Sequence, residues 1–136
     1  MTPNANTKYV LVIDRQDYWR ELSAQTLTSA GYLVRAVATY DYPPSSDDQP
    51  ERVPDLVILG CASIGVDEQQ LIARVLEYKH HLVVFCVSLP MPLMRLLFLK
   101  GADDVGDKPY DPDQLVNSVE QALDAISSRS DYLSKE

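Results

Sequence analysis

The feature that most constrains the fold of this chain is a set of short, unbroken apolar runs separated by longer segments of helical period. The runs are Tyr9-Val-Leu-Val-Ile13, Leu56-Val-Ile-Leu59 and Leu82-Val-Val-Phe-Cys-Val87; a further strand is expected over Leu33 to Ala38 and a weaker one over Asp104 to Gly106. The runs are rich in β-branched residues and apolar at consecutive positions, the pattern of strands covered on both faces as in a parallel sheet. Between them, Trp19, Leu22, Leu27 and Ala30, then Leu71, Ile72, Val75 and Leu76, recur at helical spacing. Leu115, Val116, Val119, Leu123 and Ile126 do the same after Asp111-Pro112, where proline suits a first helical turn. Strands alternating with helices predict an α/β fold: a doubly wound, five-stranded parallel sheet.

Turn chemistry divides these elements. Gly31 stops the first helix, Gly101 stops the helical stretch Pro92 to Lys100, and Gly60 to Gly65 reads as a loop before a helix opened by a capping-box pair, Asp67 with Gln70. Tyr40 to Pro50 holds three prolines and no helical period, so a loop is expected between the second and third strands. The expected organisation is a flexible N-terminus (1–7), one domain (8–127) and a polar C-terminal tail (128–136). Cys61 and Cys86 form no metal or redox motif and read as reduced, structural thiols; His80 and His81 read as exposed turn residues.

A formal net charge of -8 with no basic stripe argues against nucleic acid and anionic membranes as partners. No segment has the length of a membrane span, and the opening MTPNANTK lacks the apolar core of a secretory signal, so a cytoplasmic location is expected.

In a doubly wound sheet the functional groups gather beyond the carboxyl ends of the strands. Those positions hold Asp14, Arg15, Gly60, Ser88 and Lys108. Together with Arg20-Glu-Leu22, Ser29-Ala-Gly-Tyr32, Pro54-Asp-Leu-Val-Ile-Leu59, Gly101-Ala-Asp-Asp104 and Lys108-Pro-Tyr-Asp-Pro-Asp113, their order and spacing resemble the receiver (CheY-like) domains of two-component response regulators, over roughly Lys8 to Ile126. The resemblance implies a flavodoxin-like sheet of order 2-1-3-4-5, with the second helix reduced or replaced by the proline-bearing loop. It also implies a pocket in which an aspartate ending the third strand accepts a phosphoryl group and, with acids after the first strand, holds Mg²⁺.

Here the pattern departs from the family. Asp14 fills the first acidic position, Arg15 replaces the second, and Gly60 stands at the acceptor position, offering neither nucleophile nor metal ligand. Ser88 and Lys108 occupy the family's hydroxyl and lysine positions, and Val105 replaces its switch aromatic. Asp14 is expected to be neutralised by Arg15 or Lys108. Arg15 either stands in for the charge of the metal or lies solvated on the rim.

The resemblance therefore implies a pseudo-receiver that works as a protein interaction module in signalling, without catalysis, cofactor or metal. The alternative is residual phosphotransfer, or binding of a small anion by Lys108, Ser88 and the backbone around Gly60. Leu93-Met-Arg-Leu-Leu-Phe-Leu99 is apolar almost all round, so one side of that helix is left for an interface. A signalling protein is the expected partner. In the family, the face of the fourth helix, fifth strand and fifth helix often mediates dimerisation, so a homodimer is expected, with Met94, Leu97 and Phe98 as anchors.

Overall fold

A computed structural model describes residues 7–44, 52–108 and 111–134, with side chains through 127. Five strands, β1 (Tyr9–Asp14), β2 (Leu33–Val37), β3 (Leu56–Ser63), β4 (Leu82–Ser88) and β5 (Asp104–Asp107), form one sheet in the order β2-β1-β3-β4-β5. Every pairing is parallel, as continuous apolar strands require when both faces are covered. The helices are α1 (Asp17–Ser29), α2 (Val66–Glu77), α3 (Met91–Lys100) and α4 (Pro112–Ser134). The fold is the α/β, flavodoxin-like arrangement that the alternating pattern and the resemblance predict.

Strand alternation splits the core into two layers. Leu11, Ile13, Val57, Leu59 and Val84 pack with Leu71, Ile72 and Val75 of α2 and Leu97 of α3. Val10, Val12, Ile58, Val83 and Phe85 face Leu27 of α1 and Leu115, Val119 and Leu123 of α4. Gly31 and Gly101, the two stops read from sequence, both adopt left-handed φ (101° and 117°).

No helix lies between β2 and β3 among the described residues, in line with the proline-bearing segment. Tyr40 and Tyr42 from that segment are nevertheless buried and complete the core layer under α2. The part of this loop at 45–51 and the N-terminal residues 1–6 lie outside the described residues.

Three boundaries differ from the sequence reading. β3 does not stop at Leu59 but runs through Gly60 to Ser63, because β4 is long enough to pair with it at Cys61↔Cys86 and Ser63↔Ser88. The start of α2 is capped at Gly65, whose N–H donates to the Glu68 carboxylate at 2.7 Å, and not by Asp67 with Gln70. α4 continues to Ser134, past Ser127, where the sequence pattern places the start of a polar tail.

Candidate functional site

The sheet brings Asp14, the last residue of β1, into register with Gly60 of β3. That point lies where strand order reverses between β2-β1 and β3, the usual place for a functional crevice in such sheets. The Asp14 side chain is 2% exposed and both carboxylate oxygens are engaged. Oδ2 accepts from the Lys108 ammonium at 2.6 Å, and Oδ1 accepts from the backbone N–H of Gln16 at 2.9 Å, a turn two residues long that aspartate commonly closes. Lys108, its side chain fully buried, also donates to Gln16 Oε1 at 3.0 Å and lies 5.3 Å from the centre of the Trp19 ring. Its backbone N–H is fixed to the carbonyl of Cys86 at 3.0 Å, and Arg20 Nη1 donates to the Asp14 carbonyl at 2.9 Å.

Gly60 explains why this pair fits. A Cβ at position 60 would fall on the Asp14 carboxylate, 2.9 Å from its Cγ and 3.1 Å from Lys108 Nζ. The space into which an acceptor side chain would project is thus filled by the Asp14–Lys108 ion pair. Mg²⁺ does not fit this set of donors: it needs several oxygen ligands in octahedral geometry, while Gly60 and Arg15 supply no side-chain oxygen and both Asp14 oxygens are already hydrogen-bonded. Among the described residues, no group of three or more His, Cys, Asp or Glu is placed to hold a metal ion.

The remaining predicted residues are not drawn into this cluster. Arg15 lies on the rim, its guanidinium 3.8 Å from the centre of the Tyr40 ring and 3.6 Å from Asp67, half-exposed; Lys108 alone supplies the cation that faces Asp14. Ser88 is exposed at the end of the extended β4, and its carbonyl accepts the Cys86 thiol at 3.1 Å. Val105 is buried in the layer formed with α2 and α3. Asp17 pairs with Arg20 at 2.6 Å on the surface.

Beside the ion pair, a cleft of about 180 Å³ is bordered by Arg15, Gln16, Tyr40, Ser63 and Glu68. Burial, with Cys61 and Glu68 nearby, holds the Tyr40 hydroxyl above its ordinary range, against the opposing pull of Arg15. Burial and the neighbouring Cys86 likewise push the Cys61 thiol up, so at neutral pH it is a thiol and not a nucleophile. Both cysteines are free and buried. Gln16 and Tyr40 were not singled out from sequence; for Gln16 the available signal was its place two residues after an aspartate.

The α3 face also rearranges the expected anchors. Leu97 is buried and Met94 packs against the core layer, while Phe98 is 45% exposed. The outward apolar residues are Met91, Leu96, Phe98 and Leu99, the last 84% exposed. The two histidines, expected to be exposed, are partly buried: His80 Nδ1 is hydrogen-bonded with the Tyr42 hydroxyl, and His81 Nδ1 lies 3.3 Å from Asp103. Both partners come from distant segments, which folding brings to the turn before β4.

Solved structures of the same shape are receiver domains of response regulators. A CheY-like response regulator receiver domain protein from Methanospirillum hungatei superposes with a TM-score of 0.73 at 17% identity, covering 91% of this chain and 99% of that one. A response regulator from Thermotoga maritima gives 0.71 at 21% identity over 87% and 98% of the two chains. NtrX from Brucella abortus gives 0.82 at 22% identity, covering 96% of this chain and 30% of that protein. The sequence matches no protein-family profile and no curated protein. The chain therefore shares the receiver fold, and what it does with that fold rests on its own residues. Among the described residues, no helix is long and apolar enough to cross a membrane.

Proposed function

We propose that this chain is a phosphorylation-independent pseudo-receiver, a cytoplasmic protein interaction module of two-component-type signal transduction with no catalysis of its own. The observation that carries this reading is the ion pair over Gly60: the acceptor is missing and its space is occupied by Asp14 and Lys108. Restoring a carboxylate at position 60 would set it against the carboxylate already there, so the arrangement is committed and not merely depleted. The same geometry weighs against a small anion in this pocket, because Lys108 already has two acceptors and Ser88 does not border the cleft. Incubation with acetyl phosphate and Mg²⁺, followed by intact mass, tests the proposal. The expected spectrum shows no phosphoryl adduct; an adduct mapped to an acid of this crevice overturns it.

Such a module acts by docking, and the outward side of α3 is the surface we assign to a partner. Met91, Leu96, Phe98 and Leu99 are large apolar groups left in water on one short helix, and exposed patches of this kind commonly mark interfaces. A second copy of the chain is the first occupant to test, by light scattering. Dimer that dissociates on Leu99→Glu supports it; monomer at high micromolar concentration counts against self-association and leaves the face to a different signalling protein. With a net charge of -8, nucleic acid and anionic membranes are not the partners proposed.

A further inference from the structure

We propose that a second cleft, at the amino ends of the strands and opposite the degenerate pocket, binds a small amphiphilic oxyanion, a phosphate or carboxylate head on a short apolar body. The cleft encloses about 250 Å³ and its walls include Lys8, Lys79, His80, His81, Leu123 and Ile126. Topology assembles it from four places: Lys8 precedes β1, Val53-Pro54-Asp55 precedes β3, the sequence Lys79-His80-His81 joins α2 to β4, and Leu123 and Ile126 belong to α4.

The charge balance points to an anion. In a chain of net charge -8, Lys8 and Lys79 form no ion pair with any described residue. One acid, Asp55, lines the cleft, and Asp103 lies beside it; each has a partner of its own. Asp55 accepts the Tyr9 N–H at 2.8 Å and lies 3.8 Å from Arg52, while Asp103 accepts the Leu82 N–H at 2.8 Å and faces His81. His80 adds an imidazole to the same wall. Its Nδ1 is hydrogen-bonded with the Tyr42 hydroxyl, and burial with His81 alongside lowers its pKa from the ordinary 6.5. The cleft thus gathers two ammonium groups with no ionic partner among the described residues and two imidazoles against one carboxylate, a balance that suits an oxyanion.

Two further observations favour a site over a chance grouping. Lys79 has a φ of 61°, the left-handed region that glycine usually fills after a helix. A lysine held there against its steric preference is the kind of local strain that clusters at functional positions. The opposite wall is apolar, with Leu123 buried and Ile126 packed on the core. The volume lies below the roughly 300–1,000 Å³ of drug-sized sites, so it suits a compact head with a few carbons.

Butyl phosphate titrated into the full-length protein, followed by NMR of the histidine rings and the leucine and isoleucine methyls, tests this. Saturable shifts at His80, His81, Leu123 and Ile126 are expected, with weaker binding of inorganic phosphate and none of butanol. Lys8→Gln combined with Lys79→Gln should weaken binding at least about tenfold, whereas Lys100→Gln on α3 should leave it unchanged. Thermal midpoints of the variants confirm that both remain folded, since all three lysines are exposed. Absence of a saturable shift, or affinity unaffected by the double substitution, overturns the proposal. Sedimentation with phosphatidylglycerol vesicles separates a free ligand from a lipid headgroup: the protein is expected to stay in the supernatant, and co-sedimentation lost in the double variant would overturn the soluble ligand.

Discussion

The two ends of the sheet carry the same kinds of side chain in opposite states. At the carboxyl end Lys108 is fully buried and holds Asp14 and Gln16 within 3.0 Å. At the amino end Lys8 and Lys79 stand exposed on a cleft without an ionic partner among the described residues. The difference lies in solvation. A desolvated charge must be answered from within the chain and so becomes structural, whereas a charge left in water remains free to answer something else. The fold has therefore closed the end where doubly wound sheets usually place their sites and left its opposite end open.

The largest effect should come from breaking the closed end. Lys108→Ala strands the Asp14 carboxylate in the core and should destabilise the protein by about 3–5 kcal/mol, read by urea denaturation. Lys79→Gln removes the same charge from the open end and should stay within about 0.5 kcal/mol of the parent, as surface changes generally do. Equal losses at the two positions would erase the distinction between the ends. The next largest effect is steric. Gly60→Ala forces a methyl into the space of the Asp14 carboxylate and should cost about 1–3 kcal/mol, the usual range for overpacking. A neutral outcome would mean that the pair moves aside easily and that the closed end is only loosely closed.

Much of this was readable from sequence because it rests on position along a strand. Continuous apolar runs gave the layers, and Asp14, Gly60 and Lys108 could be placed at one edge before any geometry was known. What escaped depends on partners distant in sequence. β3 outran Leu59 because β4 could pair with Cys61 and Ser63, and nothing in Gly60-Cys-Ala-Ser distinguishes that strand from a loop. The α3 anchors were partly inverted because a helix apolar on every side carries no period to orient it. Only packing on α2 and the sheet turns Met94 and Leu97 inward and leaves Leu96 and Leu99 outside. His80 was read as exposed because Tyr42, its partner, lies 38 residues away.

That histidine also supplies the smallest and most conditional test. Tyr42→Phe deletes the hydroxyl that is hydrogen-bonded with His80 Nδ1, and near neutral pH it should cost about 0.5–1.5 kcal/mol, the net value of one such bond. Stability should depend on pH in both directions. Burial and His81 lower the folded pKa of His80 below the 6.5 of the unfolded chain, so under acid the unfolded chain takes up its proton first. This contribution is present above 6.5 and is lost as pH falls toward the folded value, in the parent and in Tyr42→Phe alike. On the alkaline side, burial, with Tyr9 and Tyr78 nearby, raises Tyr42 from 10.0 to about 12, so its share is present below 10.0 and lost as pH climbs toward 12. The stability gap between parent and Tyr42→Phe should therefore narrow as pH climbs from 10.0 toward 12, because only the parent carries the shifted hydroxyl. A gap that stays constant from pH 9 to 12 would show that the Tyr42 hydroxyl titrates in the folded protein as it does in the unfolded chain.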